Sequence, residues 1–205
     1  HKRNPEFVDD AIATIANSTE RMQRLIAQLQ RREVQSLARR VSLAEIAARA
    51  CERCQGRSPL PACGGVVEDA WVEADPERLT MIVEHVIRNA QDATPEAGTV
   101  TVAVAIDGGP GAELSVPLAE TSGQLRIPMA ALTVSDDGAG MSREFIEQRL
   151  FKPFDTTKGS KGMGIGAYQV REYVLSLGGR VDVASEEGQG TRFTVRLPLV
   201  TDFAT

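Results

Sequence analysis

The 205-residue chain predicts an α+β fold, a two-layer α/β sandwich preceded by a long helix. Three observations carry that expectation. Strand-like runs lie next to one another in the second half of the chain, at Gly98 to Asp107, Gln124 to Ser135 and twice within GGRVDVASEEGQGTRFTVRLPL. Helical periodicities interrupt these runs without alternating strictly with them, which fits a sandwich better than a doubly wound parallel sheet. The first stretch of chain repeats apolar residues in steps of four and three, and the texture changes at Val41.

In order along the chain, Asn4-Pro5-Glu6 reads as a helix start, with proline in the first turn where its missing N–H is harmless. Val8, Ile12, Ile15, Thr19, Met22, Ile26 and Leu29 then form the seam of a helix running to about Arg31, on the order of 40 Å long at 1.5 Å per residue. Such a stripe is buried against a partner helix in a dimer, or folded back on its own domain. The expected organisation is residues 1–32 as this helix, 33–40 as a linker and 41–205 as a compact domain. Within that domain SLAEIAARACERC reads as a capped helix, VVEDAWVEAD as a strand, and PERLTMIVEHVIRNAQDAT as a helix with Leu79, Ile82, Val83, Val86, Ala90 and Ala93 on its buried stripe. On another face His85, Asn89 and Asp92 fall at i, i+4 and i+7. A Gly/Pro-rich excursion, GGPGAELSVPLAETSG, separates the next two strands, SREFIEQRL is a short capped helix, and AYQVREYVLSL is an amphipathic one.

Composition bounds the function. The 42% hydrophobic content suffices for one sizeable core. A net charge of −5 argues against nucleic acid as the main partner, since phosphate contacts need a concentrated basic surface. Neither a signal-peptide pattern nor an apolar run of about 18 residues occurs, so the segment is expected to be soluble. Cys51, Cys54 and Cys63 raise zinc or redox chemistry, but zinc wants four ligands and the chain has 2 His. They read as small buried or reduced thiols.

Two places look chemical. In TTKGSKGMGIGA the alternate glycines Gly162, Gly164 and Gly166 end where a helix presents unpaired N–H groups, a cradle for a polyphosphate or else a flexible connector. In DDGAGM, Asp136 stands at a strand end before Gly138 and Gly140, either as an acceptor for a ligand amine or as an Asp-Gly turn. LFKPFDTTKGSK, with Phe151, Phe154 and Lys158, reads as a lid beside the glycines.

Taken together, these stretches resemble the ATP-binding catalytic domain of bacterial sensor histidine kinases, within the superfamily shared with gyrase, Hsp90 and MutL and its Bergerat-type ATP-binding fold. HVIRNAQDAT resembles the N box, DDGAGM the first glycine box, LFKPFDTTK the F box, GMGIGA the second glycine box and GQGTRFTVRLP the last, from about Val41 to Pro198. KGMGIGAYQVREYV and NPEF resemble in particular the kinase of the PEP-CTERM exopolysaccharide system, with the nitrogen-regulation type as a near neighbour.

The resemblance implies that Asn89 binds Mg²⁺ bridging the phosphates of ATP and that Asp136 accepts from the adenine amino group, supported by Thr191 and by Asp92. It implies that Gly138 and Gly140 let the backbone approach the nucleotide, that Gly162, Gly164 and Gly166 do so at the phosphates, and that Lys158 adds charge from the lid. Where hydrolysing relatives carry a glutamate base, this chain has His85, which aids catalysis or lines the pocket; Glu84 points about 100° away around the helix. The first helix resembles the second helix of a dimerisation hairpin, because His1 is followed by Lys2-Arg3 and not by the acidic residue that follows a phosphoacceptor histidine. The expected partners are a second copy through that helix and a response-regulator receiver domain, with no nucleic acid, in the cytoplasmic portion of a kinase.

Overall fold

Ser42, Asp75 and Ser142 each hold extended backbone immediately before a helix, and each side chain accepts backbone N–H groups from the first turn. Ser42 Oγ accepts from Glu45 at 3.5 Å, Asp75 Oδ1 from Glu77 and Arg78 at 2.9 and 3.1 Å, and Ser142 Oγ from Phe145 at 3.3 Å. These caps satisfy donors that a helix leaves open, and they set the starts of α1 (Leu43–Arg53), α2 (Pro76–Ala93) and α3 (Arg143–Gln148). Helix α4 (Gly166–Ser176) begins after Ile165 with no side-chain cap. The computed structural model describes residues 38–66, 69–107, 128–155 and 164–200. The helix expected over residues 5–31, the excursion after Asp107, Lys158 and Gly162 lie outside the described residues. The chain divides into two units, His1–Ala38 and Arg39–Thr205; all that follows concerns the second.

Strands β2 (Pro61–Val66), β4 (Val100–Ile106), β5 (Met129–Asp136), β6 (Arg180–Glu186) and β7 (Gly190–Pro198) form a sheet in the order β2-β4-β5-β7-β6. β2 runs parallel to β4 and the other pairings are antiparallel, giving the mixed sheet of an α+β sandwich. A second, two-stranded sheet pairs β1 (Arg39–Ser42) with β3 (Trp71–Ala74). There the Arg40 guanidinium lies 4.8 Å from the Trp71 ring centroid. The helices cover one face of the large sheet. Val100, Val102, Val104, Leu132, Val134, Val195 and Leu197 are buried with Leu43, Ile46, Leu79, Val83, Ile87 and Val174, the period-2 and period-3.6 stripes meeting in one core. Tyr173 is buried there too, its ring under the Arg78 guanidinium at 4.6 Å and its hydroxyl bonded to the Asp75 backbone. Burial pushes that phenol up to about 12.

Two expectations are corrected. VVEDAWVEAD is not one strand: β2 ends at Val66 and β3 begins at Trp71, in different sheets, with Trp71 N–H donating to the Asp69 carbonyl where the chain turns. The cysteines are not all thiols either. Cys51 and Cys63 are disulfide-bonded, because α1 packs over β2, and only Cys54 remains a free, buried thiol.

Gln91 of α2 is 2% exposed. Its Nε2 donates to the carbonyls of Cys54, Arg57 and Pro59 at 3.1, 2.8 and 3.0 Å, fastening the loop between α1 and β2 onto α2. Replacing Gln91 by Leu leaves buried carbonyls without a donor, which costs about 1–3 kcal/mol. A denaturant-unfolding series on Gln91→Leu is expected to show that loss; stability equal to the parent protein contradicts this role.

Candidate functional site

Helix α2 places His85, Asn89 and Ala93 one above another at steps of four, a stack of about 12 Å at 1.5 Å per residue. The lower end of the stack touches α4. A Cβ on Gly166, the first residue of α4, would run into the His85 imidazole, so glycine lets the two helices meet there. The upper end touches the loop after β5: the Ala139 N–H donates to the Ala93 carbonyl at 2.9 Å, and a Cβ on Gly138 would collide with that same carbonyl. Asn89 is half-buried between these two contacts, and its side chain has partners of its own.

Asp136 ends β5 and pairs in register with Thr191 of β7. Its Oδ1 accepts the Gly138 N–H at 3.0 Å, and the Thr191 backbone N–H also donates to the carboxylate. Burial raises the Asp136 pKa above the ordinary carboxylate range, the two backbone donors and Asp137 acting as smaller influences. A carboxylate offers about four lone-pair directions, so two backbone donors leave acceptor capacity for a ligand amine. Asp137 faces differently. Thr99 donates to it through N–H and hydroxyl, both at 2.8 Å, which lowers its pKa.

The turn 137–141 is fixed from both sides. Gly140 has φ +65, and a Cβ there would meet the Glu186 carbonyl. Gly188 N–H donates to the Ala139 carbonyl at 2.8 Å, and Ser185 Oγ accepts from Met141 N–H at 2.8 Å. Ser185 also donates to the Gly190 carbonyl at 2.8 Å and lies 2.9 Å from the Thr191 hydroxyl. Sequence reasoning passed over Ser185; its one signal is its place in the alternating strand beside GQGT.

The described residues on either side of 156–163 meet before α4. Phe154 N–H donates to the Gly164 carbonyl at 2.9 Å, and Gly164, with φ +64, packs against the Asp155 backbone. Phe154 itself has φ +67, which is unusual for a bulky residue. Arg149 holds Asp155 in a two-pronged ion pair at 2.9 and 2.6 Å. Gly164 and the uncapped start of α4 are thus brought to the His85 end of the stack. In every described glycine of the set the close approach is between the protein's own segments.

Asp92 ion-pairs with Arg57 of the loop fastened by Gln91. Glu84 is held by Arg88 at 2.6 Å and lies 4.0 Å from Arg53 of α1. Among the described residues no group of three or more His, Cys, Asp or Glu could hold a metal ion. Asn89 offers an amide oxygen, a ligand type suited to a hard cation that keeps water and phosphate oxygens as its other ligands.

Residues 74–201 match the family described as histidine kinase-, DNA gyrase B-, and HSP90-like ATPase. The sensor histidine kinase ZraS of Escherichia coli O157:H7 is 34% identical over 128 residues, which cover 62% of this chain and 23% of that protein. Among solved structures, the mycobacterial sensor histidine kinase MprB aligns with a TM-score of 0.62 at 23% identity, covering 79% of this chain and 97% of that one. Full-length ShkA, solved in complex with AMPPNP, aligns with a TM-score of 0.60 at 26% identity, covering 80% and 31%.

The contact between His85 and Gly166 generates a double-mutant test. Gly166→Ala forces a methyl group into the imidazole and is expected to cost roughly 1–3 kcal/mol. In a His85→Ala background the same change should cost much less, read as a coupling between the two in thermal or denaturant unfolding. Strict additivity would contradict the contact.

Proposed function

From the premise that the chain belongs to the histidine kinase-, DNA gyrase B-, and HSP90-like ATPase family, we propose that it is the ATP-binding catalytic domain of a two-component sensor histidine kinase. In this reading it presents the γ-phosphoryl group of ATP to a histidine on a dimerisation helix, and a response-regulator receiver domain takes the phosphoryl group onward. The helix expected over residues 1–32 belongs to the dimerisation hairpin in this reading and the residues after it are the linker, with β1 from Arg39 counted to the catalytic domain rather than to a linker over 33–40.

The observation that carries the reading is that α2 touches both glycine-bearing segments with one stack, α4 through His85 and Gly166 and the β5 loop through Ala93 and Ala139. Bound Mg²⁺-ATP would supply the phosphoryl donor and neutralise charge on the leaving phosphates. Asp136, half-buried and steadied by the Gly138 and Thr191 N–H groups, would accept the adenine amino group. Asn89 would hold the metal ion with its amide oxygen. The start of α4, with Gly162, Gly164 and Gly166, would direct backbone N–H groups and helix dipole at the phosphates, and Lys158 would add charge. The gain comes from orientation and charge placement and not from a protein nucleophile within this domain. Glu84 does not serve as a hydrolytic base, since its carboxylate is engaged by Arg88 and faces α1.

The test is a titration of ATP and GTP, with and without Mg²⁺. Asp136→Asn should lose tenfold or more in ATP affinity, about 1.4 kcal/mol, while Asn89→Ala should lose the Mg²⁺-dependent part. The raised pKa of Asp136 means that protonation sets in at a higher pH than for a solvated carboxylate. ATP affinity should accordingly fall as pH is lowered through that range, and the fall should vanish in Asp136→Asn. Unchanged affinity in both variants would overturn the assignment.

A further inference from the structure

The three cysteines occupy unlike surroundings. Cys51 is buried on α1 and is disulfide-bonded to Cys63 of β2, which is exposed on the edge strand of the sheet, with the two Cα atoms 6.8 Å apart. Cys54 lies one helical turn beyond Cys51 but turns its buried thiol to the Glu84 carbonyl of α2, at 3.8 Å. Burial pushes that thiol's pKa up, away from reactivity.

The bond closes a loop, and that loop is the one fastened to α2. Its carbonyls at Cys54, Arg57 and Pro59 accept from Gln91, and Arg57 ion-pairs with Asp92. Gln91 and Asp92 follow Asn89 within a single turn of α2. The exposed end of the disulfide is therefore connected, through one short loop, to the turn of helix that carries Asn89.

We propose that Cys51 and Cys63 form a reversible thiol–disulfide site whose state tunes nucleotide affinity through the loop 54–60. The effect on affinity rests on the ATP-binding reading above; the site and its grip on α2 do not. A thiolate of a small dithiol attacks Cys63 Sγ, the sulfur of the exposed residue of the pair. The protein's S–S bond breaks as a mixed disulfide forms, and Cys51 leaves as a thiolate that takes up a proton. The reductant's second thiolate then attacks its own sulfur in the mixed disulfide and releases Cys63. The protein gains two electrons and two protons, and the dithiol ends as a disulfide; oxidation by a small disulfide runs the same steps in reverse. Once the bond is open, the loop ends regain the freedom that closure had removed. Gln91 and Arg57 must then hold the loop alone, and the α2 turn around Asn89 loses part of its support.

The experiment uses the whole 205-residue chain, oxidised with a small disulfide or reduced with dithiothreitol, the linkage checked by peptide mass mapping. Mg²⁺-ATP affinity is measured in both states, and hydrogen exchange is followed over residues 54–60 and 84–93. Reduction should weaken ATP binding by roughly fivefold or more, the lower end of ordinary coupling between sites, and should speed exchange in both segments. Cys63→Ser should match the reduced protein and ignore dithiothreitol, whereas Cys54→Ala should keep the response. Equal affinity and equal exchange in the two states overturn the proposal, as does failure to find the Cys51–Cys63 peptide after oxidation. If ATP binds in neither state the kinase reading fails instead, and the exchange data alone decide whether the disulfide grips α2.

Discussion

The rigidity of α2 is the constraint on which the rest depends. A helix fixes the angle and rise between its residues, so the contact of His85 with Gly166 and the bond from Ala139 to Ala93 cannot be adjusted independently. Two loops far apart in sequence are thereby held at a set separation on either side of Asn89. The Asp75 cap and the buried stripe from Leu79 to Ala90 anchor the helix against the sheet. The sheet in turn ends β5 at Asp136, beside Thr191 of β7.

Glycines show the same economy of space. Gly138, Gly140 and Gly190 bring backbone against backbone around Asp136, and Gly166 brings one helix against another. A Cβ at any of them meets protein before it could meet a ligand. Their residue type therefore has a structural cause in the packing of the domain itself.

Much of this was legible in the sequence, for physical reasons particular to each element. Leu79, Ile82, Val83, Val86 and Ala90 repeat at the helical period and are buried, whereas Ala93, expected on the same stripe, is only half-buried where the loop after β5 meets it. Ser42 and Ser142 open runs that read as capped helices, and they cap; the Asp75 cap ahead of Pro76 is an addition of the structure. β1 and β2 were not legible: RRVS is short and charged, and PACGGV holds its place through pairing with β4 and not through residue preference. Gln91 reads as an ordinary polar helix residue, and only the path of the loop 54–60 across α2 makes it a buried donor to three carbonyls. Asp92 shares a helix face with His85 and Asn89 by spacing, but spacing along the helix does not reveal that Arg57 of the loop 54–60 reaches it. The Cys51–Cys63 bond was hidden for the same reason, since spacing along a chain does not reveal which helix lies over which strand.

The central claim is that one stack on α2 gathers the separated segments into a single nucleotide site. Amide chemical-shift mapping during a Mg²⁺-ATP titration tests it most directly. Shifts at Asn89, Gly138 to Gly140, Gly164 to Gly166 and Thr191 that all follow one binding curve are the expected result. Shifts confined to one of these segments, or following different curves, would contradict it.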